Sequence, residues 1–478
     1  MSPRDRIRHL YRHLGFGATP TEVDAALKAG FEATRKGLVE YPKTPAGIEA
    51  SPYEFVWRKD QEPDSGAARF RSWWVAQMVV TPRPLQERLA IFWHDHFAVS
   101  DAKVNSGMKM LDYIQTIRRN AGGKFGDLLV AVSKEPAMMQ WLDMNRSIRG
   151  VPNENFAREV MELFTLGIGN YTEKDVQEVA RALTGWGYTD IYRDLPGDTT
   201  QKLKDAIQYG RPFAAFNNSP ALHDPTPKTI LGKTEAYDGD SFLQRLATHP
   251  QTARTICGKL WAYFAYEDPT PKTLEPLVAA WKRTDGDILA VVDAISRHPD
   301  FYSDRCVRGR IKSPPELVVG VARAMGMGAR LYAERKPDAA PTDPIPTSTL
   351  NAANDVARIV ARMGMPLFYP PDVAGWNWGT AWVSPALMTE RLKFRGFPHG
   401  AQGVYDALSP LRLKTTEELA VRFVELFDVP LEPARLTPLV TAMNRVGGVK
   451  TLASPKATAT LIAVAMPILM AAPETHLL

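Results

Sequence analysis

Cysteine is almost missing from this 478-residue chain: Cys257 and Cys306 are its whole complement. One possible pair makes no disulfide framework and leaves the redox compartment open, and the lack of any CxxC excludes the usual cysteine-built zinc site. Cys257 sits in the apolar helical pattern "TARTICGKLWAYF" and reads as a small buried hydrophobe. No Walker loop, GxGxxG, HExxH or GxSxG occurs, which disfavours nucleotide binding and serine-hydrolase chemistry of the common kinds. Long apolar runs are also missing. The best, "ATATLIAVAMPILMAA" at 457–472, holds two threonines and a proline and falls short of the about 20 apolar residues a bilayer requires, so it reads as a buried helix and no transmembrane segment is expected. No signal peptide is recognisable at the start, and a cytoplasmic location is the expectation from sequence.

Charge of one sign is not gathered into blocks. Lys and Arg outnumber Asp and Glu by 58 to 53, a net charge of +5. The densest basic stretch, "RDRIRHLYRHLGFG", sets Arg4, Arg8 and Arg12 at helical spacing beside an apolar stripe of Ile7, Leu10, Tyr11 and Leu14. It reads as a solvated helix face, and no nucleic-acid partner is expected. Hydrophobic content of 45% with 23% charged residues fits a folded globular chain.

What the sequence has is helical periodicity. "PLQERLAIFWHDHF", "ENFAREVMELFTLG", "TEKDVQEVARALTGW", "TARTICGKLWAYFAY", "DILAVVDAISRHPDFY" and "SPPELVVGVARAMG" place apolar residues three and four apart. Thr172 is in N-cap position, and Gly167 and Gly185 stand where left-handed C-caps are wanted. Strand-like alternation is rare. Its best instance, 207–233, predicts a hairpin of "YGRPFAAF" with "KTILGK" around "NNSPALHDPTP". Loops are expected at 41–66, 190–204 and the proline-rich 336–350, which separates a main body, 1–335, from a C-terminal helical portion, 351–478, packing on it. Two helical passages close in His-Pro, "LATHPQTA" and "ISRHPDF". The fold expected is all-α, a large multi-helix domain with one small β-hairpin insertion.

Four clusters carry chemistry. "FWHDHF", at 92–97, concentrates His94, Asp95 and His96 in a chain with nine histidines. On a continuous helix His94 and His96 point about 200° apart and cannot share an ion, whereas an extended end past Asp95 would put them on one side. Histidine and carboxylate suit one divalent metal; the alternative is that His96 packs with Trp93 while His94 or Asp95 caps neighbouring backbone. Asn155, Glu159 and Glu162 form a polar helical stripe bordering apolar Phe156, Val160, Leu163 and Phe164, suited to a general acid or base or to a bound polar substrate. The scaffold alternative pairs Arg158 with Glu162 and makes Asn153 or Asn155 a helix cap. His223 and Asp224 lie in a turn-rich loop, where catalytic groups often sit. Trp376, Trp378 and Trp382 in "PPDVAGWNWGTAW" and Trp186 in "LTGWGY" offer planar faces that stack on sugars or plug the ends of helices. Ordering that proline- and glycine-restricted loop calls for a buried Trp376, with at least one of Trp378 and Trp382 left accessible.

Six ordered segments together resemble one family: "HLYRHLGFGATPTEVD", "PLQERLAIFWHDHFAVS", "VPNENFAREVMELFTLGIGNYTEKDVQEVARALTGW", "LHDPTPKTILGK", "KSPPELVVGVARAMG" and "MGMPLFYPPDVAGWNWGTAW". By them the chain is similar, over about positions 7 to 395, to the bacterial family called domain of unknown function 1800. The resemblance implies no activity. It implies that the four clusters fall in signature segments, that a separately encoded sulfatase/phosphatase-like protein is a partner, and that members often carry export signals. The functional expectation is a hydrolase acting on a polar polymer such as a surface polysaccharide, with Glu159 or Glu162 as acid or base, Asp95, His223 and Asp224 assisting, His94 and His96 orienting or holding a metal, and Asn155 and the tryptophans binding substrate. The alternative is a helical, non-catalytic binding or assembly partner of that enzyme.

Overall fold

The computed structural model describes residues 1–47, 49–57, 63–191, 199–208 and 212–478. Helix holds 62% of the chain against roughly a third in an average globular protein, so the all-α expectation stands. The helices that place the site are α1 (Pro3–Leu14), α2 (Ala67–Val80), α3 (Pro84–His96), α4 (Gly107–Asn120), α5 (Glu154–Glu162) and α6 (Glu173–Ala182), then α7 (Pro250–Phe264), α8 (Pro314–Ala324), α9 (Thr347–Arg362) and α10 (Pro455–Ala471).

Local chemistry sets their ends. Pro84 is the first residue of α3 and Pro314 of α8, where a missing N–H costs nothing. Thr172 caps α6 in a reciprocal box with Asp175, and Gly167 and Gly185 both take positive φ, as expected. The two His-Pro passages share one device: His249 and His298 each accept a backbone N–H through Nδ1, from Gln251 and Asp300. α3 is the centre of the fold because it is buried nearly all round, with Leu89, Ala90, Ile91, Trp93 and His94 at 0% exposure. α4 packs against it, and α2 joins both to α8 and α9.

Among the described residues four short strands replace the single predicted hairpin. β1 (Trp186–Thr189) pairs antiparallel with β2 (Ala215–Asn218), Tyr188 opposite Phe216. β3 (Lys228–Ile230) pairs with β4 (Lys233–Glu235) across Leu231 and Gly232, both at positive φ, a two-residue turn that matches strand twist. Of the two segments expected to be extended, the first is strand at Ala215 and Phe216 and the second at Lys228–Ile230 and Lys233, and each has another partner. Alternation says that a strand forms and not which strand completes it. Positions 209–211 of the first lie outside the described residues. In the expected loop 190–204, residues 199–204 are helical, within Thr199–Gln208, and 192–198 lie outside the described residues, as do 48 and 58–62 of the loop 41–66.

One hydrophobic core runs from Leu10 to Ala472 and is not divided at the proline-rich segment. That segment lies against the body: Trp57 Nε1 donates to the Pro341 carbonyl at 3.0 Å and Ile345 N to that of Glu54 at 2.9 Å. The basic stripe of α1 is solvated at its start, where Arg4 keeps exposed surface, and enclosed at its end. Arg12 is buried and donates to Asp428 at 2.7 Å, Arg4 pairs with Asp24, and Arg6 stacks 3.9 Å from the ring of Phe31. Buried Glu316 on α8 takes both Arg88 of α3 and Arg310, and accepts the Ser313 N–H at 2.6 Å. No helix of the described residues is long and apolar enough to cross a membrane.

Candidate functional site

α3 continues as regular helix through His96, so its two histidines face different surroundings. His94 is walled by Trp74, Tyr113, Phe368 and Trp376, and its Nε2 accepts the Phe368 N–H at 3.1 Å. His96 lies among Phe92, Trp93, Phe97 and Phe164. They share none of these neighbours and do not form one ligand set; this is the geometry expected if the helix does not stop at Asp95. Burial pushes His94 down to about 3 and His96 well below the ordinary imidazole value, so both rings are neutral.

The tryptophan loop docks on the end of α3. Asp95 Oδ1 accepts the Trp376 N–H at 2.7 Å and Oδ2 the Trp378 indole N–H at 2.6 Å. Upstream in the loop, the Phe368 carbonyl accepts the Asp101 N–H at 2.8 Å and Tyr369 donates to the Asp101 carboxylate at 2.8 Å. Gly375 makes the approach possible. Its φ is +89°, and a Cβ there would stand 2.6 Å from the Asp95 carbonyl oxygen. Trp376 is buried, as expected, and Trp378 stays partly exposed. Trp382 is buried at 2% and packs edge-on to Trp378, 5.9 Å between ring centroids, so it supports that ring from behind and is not a ligand contact.

Between α3, α7 and this loop lies a pocket of about 240 Å³ lined by Asp95, His96, Lys259, Glu267, Arg310 and Trp378, with Tyr263 and Trp376 completing the aromatic wall. Burial pushes the Asp95 carboxyl up to about 7, although both tryptophan N–H groups and the Lys259 ammonium pull it down. Lys259 retains exposed surface, but protein surrounds its ammonium, and that enclosure draws it down to about 8 while Asp95 pulls it up. Its N–H groups donate to the Leu163 carbonyl at 2.8 Å and to His96 Nδ1 at 3.2 Å. The latter bond fixes the tautomer, with His96 Nε2–H directed to the Phe164 carbonyl at 3.1 Å. A carboxyl and an amine, both brought near neutrality beside an exposed indole, can exchange protons with a bound polar ligand. Glu267 adds an exposed carboxylate, whose Oε1 would lie 2.8 Å from a Cβ on Gly379.

The other predicted groups lie elsewhere. Glu159 and Glu162 are not among the pocket-lining residues, although the turn that follows them supplies the carbonyls of Leu163 and Phe164 to Lys259 and His96. Glu162 accepts from the Tyr171 hydroxyl, and burial raises the Glu159 carboxyl with help from the Glu162 charge. Arg158 does not pair with Glu162; it makes two 2.7 Å bonds to Glu173 on α6. Asn153 is the cap of α5, accepting the Asn155 N–H at 2.9 Å, and Asn155 is exposed. Asp224 is held well below the usual carboxylate range by the Arg181 guanidinium at 2.8 Å, and His223 Nδ1 bonds the Thr184 carbonyl at 2.9 Å. These pin the 223–228 loop to the end of α6, away from the pocket. Trp186 is buried against Phe216. Lys259, Glu267 and Arg310 escaped sequence reasoning. The available signal was a lone lysine inside the apolar run "ICGKLWAYF".

Comparison with curated proteins and with solved structures gives no significant match. A match of another kind covers nearly the whole chain, residues 9–475, and takes in α3, α7 and the tryptophan loop together: by it the chain belongs to the family described as "Protein of unknown function (DUF1800)".

Proposed function

We propose that the Asp95–Lys259 pocket binds the sugar units of a polar polymer such as a surface polysaccharide, and that the protein is a hydrolase of that polymer. One observation carries the reading: a carboxyl raised to about 7 by burial shares a small pocket with a second carboxylate and a partly exposed indole. Half-protonated at neutral pH, Asp95 has a proton to give to the oxygen that leaves when a glycosidic C–O bond breaks. Neutral Asp95 still accepts at both oxygens and keeps one O–H to donate. Glu267, the second carboxylate of the lining, draws the proton from attacking water in this reading. Trp378 supplies the face on which a sugar ring stacks. Lys259 has spent two of its three N–H groups on protein, and with Arg310 it favours an anionic sugar such as a uronate.

The test is product release from oligogalacturonate and from a neutral oligosaccharide, followed as new reducing ends. Wild type should release them faster from the uronate, and Glu267→Gln should reduce the rate at least about 100-fold with folding unchanged. No release from any polymer by a well-folded wild type contradicts hydrolysis.

The second reading is a binding or assembly partner without catalysis, serving the sulfatase/phosphatase-like enzyme. It is favoured by the engagement of both Asp95 oxygens with the loop, which suits a latch. Saccharide-dependent quenching of Trp378 fluorescence with no product would select it.

A further inference from the structure

α1 carries His9 and His13 one turn apart, with ring centroids 4.1 Å apart. Both are fully buried, and each is oriented by a backbone carbonyl: His9 Nε2 bonds that of Phe301 at 2.7 Å, His13 Nδ1 that of Phe264 at 2.5 Å. A carbonyl only accepts, so those nitrogens carry the protons. The opposite nitrogens, His9 Nδ1 and His13 Nε2, are bare lone pairs, and neither has a hydrogen-bond partner. Two unpaired acceptors side by side in a core demand a reason, because buried polar atoms are nearly always satisfied.

Cys306 supplies one. It is fully buried in the turns that follow the short helix Pro299–Tyr302, with Sγ 4.0 Å from His9 Nε2. One nitrogen from each ring and this sulfur all lie within 4.8 Å of one another, and this is the group of three such donors found among the described residues. Two neutral imidazoles with a thiol beside them form a donor set of the kind that zinc takes. Burial keeps His9 down at about 3 and His13 well below its ordinary value, so both present the ligating neutral form. The thiol is different: burial pushes it up to about 12, against the pull of Arg310 and Arg12. It becomes a ligand only by losing its proton to solvent as the S–metal bond forms. Those guanidiniums oppose a bare dication, while the new thiolate and Asp428, which pairs with Arg12, offset them.

We propose that His9, His13 and Cys306 bind one Zn(II) ion, which clips α1 to the 298–306 segment across a sequence separation of nearly 300 residues. The site is structural. His13 also bonds the carbonyl of Phe264, next to Tyr263 of the pocket wall, so the clip braces the end of α7.

The full chain, incubated with Zn(II) and dialysed, should retain a single equivalent by elemental analysis and melt higher than the chelator-treated form. Loaded with Co(II), it should show a thiolate-to-metal absorption band. Cys306→Ser should lose the band and the retained zinc, and Cys257→Ser should keep both. No zinc retained by wild type overturns the proposal, and so does zinc retained equally by Cys306→Ser. If Cys306→Ser does not fold, the Co(II) band of Cys257→Ser decides: Cys306 is then the one thiol left, and absence of the band is fatal.

Discussion

Burial raises the Asp95 carboxyl from an ordinary 3.8 to about 7 against two hydrogen bonds and a nearby ammonium. The folded state therefore holds this proton more tightly than the unfolded chain. Its contribution to stability is complete below about pH 4 and is lost as pH rises through about 7, a change of the order of a few kcal/mol. Since Oδ2 accepts from the Trp378 indole, the ionisation has an optical reporter. Tryptophan emission should titrate with a midpoint near 7, and Trp378→Phe should abolish that step; a flat profile from pH 5 to 9 would place the proton elsewhere. Other carboxylates should behave as scaffold. Asp224→Asn breaks a charge-assisted bond to Arg181 and should cost about 1–3 kcal/mol in urea unfolding, with saccharide binding unchanged. Glu162→Gln weakens the Tyr171 contact but relieves repulsion of Glu159, and should cost no more than about 1 kcal/mol.

Among elements, the docked tryptophan loop has the most to lose from a small change. Bonds to His94, Asp95 and Asp101 hold it, each contributing about 1–3 kcal/mol, and Gly375 alone lets the backbone pass over Asp95. Gly375→Ala forces a side chain into the left-handed region and against the Asp95 carbonyl. It should cost about 1–3 kcal/mol and shift Trp378 emission toward that of solvent-exposed indole, whereas Gly150→Ala, also at positive φ but with open space around it, should leave emission unchanged. The loop was legible in its sequence because Pro370, Pro371, Gly375 and Gly379 restrict or free the backbone locally. A buried Trp376 with one of Trp378 and Trp382 accessible was expected from that, and Trp378 is the accessible one. The strand partners were not legible, since four residues of alternation carry no address. The 200° separation of His94 and His96 was legible too, and what decided it was whether α3 stopped at Asp95.

At the scale of the molecule the sequence reveals helices more readily than the meeting of helices. Asp95 was within reach because it stands between two histidines; Lys259, Glu267 and Arg310 join it from 160 to 220 residues away, and only tertiary packing brings them there. The same packing carries one core across the prolines at 336–350. Glu316, linking Arg88 with Arg310, sits in a core shared by both portions. Glu316→Gln should cost about 3–5 kcal/mol, because it leaves two buried guanidiniums short of a counter-charge, and calorimetry should show one shifted transition. Two separated transitions would mark a boundary there. The central claim is that the pocket at the end of α3 turns over a polar polymer. Its most direct test is the release of reducing ends from oligogalacturonate by wild type and by Asp95→Asn across pH 5 to 9. Wild-type rate should fall as pH rises through about 7, with Asp95→Asn near background at every pH. A wild-type rate indistinguishable from that of Asp95→Asn would contradict the account.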